Sequence, residues 1–317
     1  MNIPALLIAS LFAASALAQE KFPAKPIQLV VPLAAGTTID FVARTYAERL
    51  SARLGQSVVA QNRPGAGGTI AAQSVAKAAP DGYTILIVNS QHSINPALYS
   101  SLPYDTLRDF AGIARIGEAP SIIAVHPKLG VKTLREFIAA AKERPGAINY
   151  GSAGSGTTTH LGAEFFASKA GIRLTHVPYK GAELMGDLLA GRVESIFVPI
   201  PFVLQQIRDG RLIGIAVTTK EALRTPLEVP SVADTAIPGF EYSTYYGFVG
   251  PARIPAPILA ELSQAIRGAT AEKELRDKLL AQALFPVDSG PAEFDAYIKL
   301  ELERIAPLVK EIGAKAN

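Results

Sequence analysis

Short apolar runs alternate with amphipathic stretches along most of this chain, and that alternation constrains its fold more than any other feature. IQLVVPL (27–33) is an apolar run of strand length ending at Pro32. Residues 39–54 follow with Phe41, Val42, Tyr46, Leu50 and Leu54 at helical spacing. The alternation then repeats. Strands are expected at 57–61, 84–89, 122–126, 148–150, 174–178, 195–198 and 213–218, and helices at 70–79, 134–142, 158–170, 183–190 and 202–209. Residues 255–314 read as largely helical, with breaks at Pro286 and Pro291. Strands that each feed a helix predict an α/β fold with mainly parallel sheets.

Two of the strand-to-helix junctions resemble each other. PLAAGTTID (32–40) and YGSAGSGTTTH (150–160) both place glycine and hydroxyl residues between a strand end and a helix start. Ligands of open α/β sheets sit at the carboxyl ends of the strands. The free N–H groups of a helix start favour an anion there. Small residues let the backbone approach it closely. The two junctions are therefore expected to converge on one anionic ligand. NSQHS (89–93) also follows a strand on that edge, which makes Ser90, Gln91 and His92 ligand candidates. NRPGAGG (62–68) reads as a structural turn, and Lys180 as either a charge near the cleft or a solvated lysine. Asp40 sits where an aspartate caps a helix.

The sharper readings of the second junction fail. A nucleophile elbow needs G-x-S-x-G, and neither Ser152 nor Ser155 has it. The dinucleotide pattern G-x-G-x-x-G breaks at Thr159, and no Walker A run exists. An enzyme acting through Ser155 with His160 would need two residues that five-residue spacing turns apart. The four histidines, His92, His126, His160 and His176, offer no pair at the close helical spacing of a zinc site. His126 and His176 read as structural, whereas His92 and His160 follow strand ends near the expected site. No metal and no cofactor is expected.

Composition narrows the rest. The 317 residues are 49 % hydrophobic and 19 % charged, which is globular, and the formal charge of +3 carries no basic cluster of the kind nucleic acid requires. The chain has no cysteine, hence no disulfide and no thiolate nucleophile. Residues 3–18, IPALLIASLFAASALA, are uncharged and end in Ala-Leu-Ala before Gln19. They read as an export leader, residues 1–18, too short to span a membrane. The mature chain is then expected in the periplasm.

Several stretches together are specific: FPAKPIQLVVPLAAGTTIDFVAR (22–44), VVAQNRPGAGGTIAA (58–72), INPALYSSLPYDTLRDFAGIA (94–114), NYGSAGSGTTTHLGAEFF (149–166), HVPYKG (176–181) and VPSVADTAIPGFE with YGFVGP (229–251). On these the chain resembles the Bug, or TctC-type, periplasmic solute-binding proteins of tripartite tricarboxylate transporters. The resemblance implies a two-domain flytrap fold of the periplasmic-binding-protein type, with residues 19–124 plus 240–317 in one domain and 125–239 in the other. It implies a monomer that hands a carboxylate ligand to transporter membrane subunits, or a sensor that presents it to a membrane signalling partner. It places Thr37, Thr38 and Asp40 in the first ligand loop and Ser152, Ser155, Gly156, Thr157 and Thr158 in the second. Two departures from the family pattern bear on the ligand. The paired glycines of the first loop are reduced to Gly36 before Thr37-Thr38. The aspartate that amino-acid-binding members carry after a strand of the second domain is replaced by Val198, next to Pro199. The implied ligand is an amine-free mono- or dicarboxylate, aromatic if residues such as Phe197, Phe202, Tyr245 and Tyr246 wall the cleft.

Overall fold

The computed structural model describes residues 22–179, 183–311 and 313; the expected leader and Lys180 lie outside them. The alternation is built as the sequence predicts through the first lobe: β1 (Ile27–Val31), α1 (Thr38–Leu54), β2 (Val58–Asn62), α2 (Thr69–Ala76) and β3 (Thr84–Asn89). The strands are short and nearly continuous in buried residues because helices cover both faces. Gly55 (φ 66°) ends α1 in the left-handed conformation that a residue without a Cβ adopts at least cost. A helix that the sequence did not announce, α3 (Gln91–Leu98), follows β3 at once. Its polar start and internal Pro96 hide the helical period.

The chain then leaves the first lobe along one 16-residue strand, β4 (Phe110–Val125). The second lobe adds α4 (Leu134–Glu143), β5 (Asn149–Ser152), α5 (Thr158–Ala170), β6 (Thr175–Pro178), α6 (Glu183–Leu189), β7 (Ser195–Pro199), α7 (Leu204–Arg208), β8 (Ile213–Val217) and α8 (Val232–Thr235). It returns along β9 (Ser243–Pro251) and closes with α9 (Ala256–Ala271), α10 (Lys273–Leu280), β10 (Phe285–Ser289) and α11 (Pro291–Glu311).

The ten strands form one sheet: eight follow the order β2-β1-β3-β9-β4-β7-β5-β6, and β10 and β8 pair with β4 off that path. The wings are parallel: β1 with β2 and β3, and β5 with β6 and β7. The centre is antiparallel, which strand–helix alternation does not announce. β4 pairs antiparallel with β9, β7, β8 and β10, and β3 with β9. The cause is topological. The chain crosses out along β4 and back along β9, so the two crossing strands run in opposite directions. Their pairs Ala119 with Thr244 and Pro120 with Ser243 put both crossings side by side. Each lobe keeps its own apolar core. Tyr46, Leu50, Ile85, Ile87, Phe248 and Ile266 lie in the first, and Phe137, Tyr150, Phe166, Phe197 and Ile215 in the second. A smaller cluster joins the lobes where Leu161 of α5 meets Ile94 and Leu98 of α3 and Ile305 and Val309 of α11.

Candidate functional site

The two junctions that look alike in sequence share one backbone conformation. Gly36 (φ 82°) precedes Thr37 (φ −79°, ψ 161°), which starts α1. Gly156 (φ 76°) precedes Thr157 (φ −75°, ψ 162°), which starts α5. Both glycines need the positive φ that a Cβ disfavours. Each threonine hydroxyl donates back to its loop, Thr37 Oγ1 to the Ala34 carbonyl at 2.8 Å and Thr157 Oγ1 to the Gly154 carbonyl at 2.6 Å. The side chain four residues after each glycine accepts that glycine's N–H: Asp40 Oδ2 from Gly36 at 3.0 Å, and His160 Nδ1 from Gly156 at 3.1 Å. Neither the amides of Thr38 and Ile39 nor those of Thr158 and Thr159 have a protein acceptor among the described residues, as expected for the first turn of a helix.

These helix starts open on one cleft of about 520 Å³. Of the residues that the sequence singled out, Thr37, Thr38, Gln91, Thr157, Thr158, Val198 and Pro199 line it. Asn89, Ile39, Ala153, Thr159, Leu184, Phe202 and Tyr246 complete the wall with Leu33. Among the described residues no lining side chain carries a charge. Asn89 ends a predicted strand and was legible by position. Leu184 comes from a helix whose reach into the cleft no local pattern signals. Of the four aromatic candidates, Phe202 and Tyr246 reach the cleft. Phe197 and Tyr245 are core residues.

The other named residues lie elsewhere. Asp40 is buried behind the first loop, where it also accepts from Arg44 Nε at 3.0 Å and Asn62 Nδ2 at 2.9 Å. Burial pushes its pKa up, but the bonds from Arg44, Asn62 and the Gly36 amide outweigh that and hold it below the usual carboxylate value. Ser90 is spent on the fold, accepting the Tyr245 amide at 3.1 Å. His92 is buried against Tyr104 and Phe110, beside a smaller cavity that Gly67 and Gly68 of the NRPGAGG turn also line. Burial lowers its pKa to about 4, so the ring is neutral. Ser155 is exposed at the loop tip. Ser152 is fully buried, with its hydroxyl 2.6 Å from His176 Nε2. Gly156 takes part through its carbonyl, which accepts from Gln91 Nε2 at 2.7 Å and so ties the lobes together.

The Gln91 amide has a fixed orientation. Its Nε2 donates to Gly156 O and to Asn95 Oδ1, and Asn95 in turn donates from Nδ2 to Gly67 O. Reversing the Gln91 amide would set its oxygen against the Gly156 carbonyl. Tyr246 lies beside Thr38 in the first lobe, where its buried phenol meets the Thr38 hydroxyl and burial pushes its pKa up. No group of three or more His, Asp or Glu side chains placed to hold a metal occurs among the described residues. None of the described helices is long and apolar enough to cross a membrane.

Two lobes joined by a pair of crossing strands, with a ligand-sized cleft between facing helix starts, define a solute-binding protein of the periplasmic type. Solved structures share the arrangement. An R. palustris protein solved with adipate superposes with a TM-score of 0.89 at 32 % identity, over 93 % of this chain and 99 % of that one. MatC from Rhodopseudomonas palustris, solved with bound malate, superposes at 0.85 and 27 % identity, over 91 % of this chain and all of that one (100 %). Bordetella pertussis protein BugT is 34 % identical over 313 residues, or 98 % of this chain and 96 % of that protein. The model of the tripartite tricarboxylate transporter family receptor, TctC, matches residues 42–314. The chain belongs to the TctC family.

Proposed function

We propose that this protein captures an amine-free organic carboxylate, a mono- or dicarboxylate, between its two lobes and delivers it to the membrane subunits of a tripartite tricarboxylate transporter. One observation carries the reading: two helix starts of matching backbone conformation, each with amides unpaired among the described residues, face one cleft whose described wall has no charged side chain. A carboxylate would be held by amides and by the hydroxyls of Thr38 and Thr158, with the partial positive ends of two helices favouring its charge. An ammonium group would find no carboxylate partner, since Val198 stands in that part of the wall. The apolar side formed by Leu184, Val198, Pro199 and Phe202 suits a hydrocarbon body. The relatives solved with adipate and with malate support the ligand class.

In this reading residues 1–18 direct export to the periplasm and are removed. Residues 19–124 with 240–317 form one domain, and 125–239 the other. The mature chain acts as a monomer that performs no chemistry. Closure draws its free energy from contacts that the ligand makes with both lobes at once.

The test is thermal unfolding of the chain from residue 19 onward, in the presence of adipate, malate, amino acids and a neutral sugar. A ligand bound only by the folded state raises the midpoint, by a stabilisation of about 2.7 kcal/mol at a hundred times its Kd. Adipate or malate should raise it, and Thr158→Val should weaken that response by about 1 kcal/mol through the lost hydroxyl. A rise with amino acids alone would overturn the amine-free assignment.

A further inference from the structure

Position 160 matches position 40 in the repeated loop geometry, yet the two side chains differ in charge. Asp40 takes the Gly36 N–H and pairs with Arg44 one turn further along α1. His160 takes the Gly156 N–H, and the residue one turn further along α5 is Glu164. The polarity of the pair is therefore inverted between the two loops. The bond to Gly156 needs His160 Nδ1 unprotonated, which places the ring proton on Nε2.

The surroundings of the ring are specific. His160 stacks on His176 with centroids 4.1 Å apart, and on Tyr150 at 6.5 Å. The Tyr150 hydroxyl donates to Glu164. His176 holds Ser152, whose hydroxyl in turn accepts the Gly154 amide at 3.1 Å. The groups facing His160 are thus Glu164 on its own helix, His176 on β6 and Tyr150 on β5. Two stacked imidazolium rings would repel each other, and a protonated His160 would be drawn to Glu164 and away from Gly156.

We propose that His160 is the positioning residue of the second anion-receiving loop. As a neutral imidazole it holds the Gly156 amide, and with it the left-handed turn that aims the first amides of α5 into the cleft, as Asp40 does for α1. The loop keeps its ligand-receiving shape only while Nδ1 is free of a proton. The direction of titration agrees. Burial lowers the His160 pKa, against an opposing pull from Glu164, and lowers that of His176 to about 4. The arrangement is therefore complete at neutral pH and is lost as pH falls below the ordinary imidazole range.

This inference rests on the carboxylate reading for its effect on affinity, so its test has one arm that needs no ligand. Imidazole and backbone nitrogen NMR of the whole mature chain, followed from about pH 7.5 down to about pH 5, should show the Gly156 amide shift moving with the titration of His160. Adipate affinity is measured over the same range for the wild type, His160→Asn and His160→Leu. Asparagine offers an oxygen where Asp40 has one but does not titrate. The wild type should lose about tenfold more affinity on acidification than His160→Asn, since adipate's own titration is common to both. His160→Leu should bind weakly at both ends of the range while unfolding cooperatively. A Gly156 amide that ignores the His160 titration, or a His160→Asn variant with the wild-type pH slope, would overturn the proposal. If adipate binds none of the three proteins, the ligand reading fails for adipate and the NMR arm still decides the role of His160.

Discussion

Asp40 shows how much of the site one side chain can organise without reaching the cleft. It accepts from a backbone amide, a guanidinium and a carboxamide that belong to the loop, to α1 and to β2. Its pKa is held below the usual carboxylate value, so it stabilises the fold fully above about pH 4 and loses that contribution as pH falls through its folded-state pKa. Asp40→Ala should cost about 2–3 kcal/mol at neutral pH, and the gap to wild type in urea midpoint should shrink as pH falls below the ordinary carboxylate range. The sequence marked Asp40 as a helix cap, whereas its carboxylate takes the amide of Gly36 in the loop before α1 and none of the helix's first-turn amides. It did not expose the matching role of His160, because a histidine carries several chemistries and only the three-dimensional stack on Tyr150 and His176 selects one. Ser152 was equally opaque. It lies in the right loop but on the far side of the backbone from the cleft.

At the scale of elements, helices and parallel strands were readable because each buries one face and its apolar residues recur at a fixed period. β4 and β9 were not. Their apolar runs are interrupted by Gly112, Gly117, Gly247 and Gly250, which serve close packing rather than periodicity. A Cβ on Gly117 would stand 2.7 Å from the Phe285 carbonyl oxygen, and one on Gly247 would stand 2.9 Å from the Ala114 carbonyl oxygen and overlap the Phe294 ring of α11. Gly247→Ala should therefore destabilise by about 1–3 kcal/mol. Gly186, inside α6, has open space where its Cβ would be, and Gly186→Ala should stabilise by about 0.5–1 kcal/mol. Denaturant titration of the two variants side by side checks both signs. The helix α3 escaped notice for a related reason, since Pro96 and a polar first turn break the pattern that marks a helix.

On the scale of the whole molecule, the contacts between the lobes include the paired crossing strands, the apolar cluster around Leu161, the Lys169–Glu311 ion pair and the Gln91 bond to the Gly156 carbonyl. Only the last belongs to the cleft wall. Gln91→Ala should remove a tie that holds the second loop against the first lobe. The expected result is a larger radius of gyration for the ligand-free chain in small-angle X-ray scattering, with adipate restoring the compact value. An unchanged radius would assign the arrangement of the lobes to the contacts away from the cleft. The two-lobe division was legible from the family resemblance and the doubled loop motif. The interlobe tie was not, because it joins residues 65 positions apart through a backbone carbonyl that leaves no trace in sequence.

The described wall of the cleft, without a charged side chain, has a consequence for where such a receptor can work. A site that met its anion with lysine or arginine near the surface would weaken as dissolved ions screened the attraction. In the proposed binding mode the attraction would come from amide dipoles and hydroxyls that act at contact distance, too close for mobile ions to intervene. A ligand held in this way stays held when the surrounding salt rises, which suits a compartment whose ionic strength follows that of the outside medium.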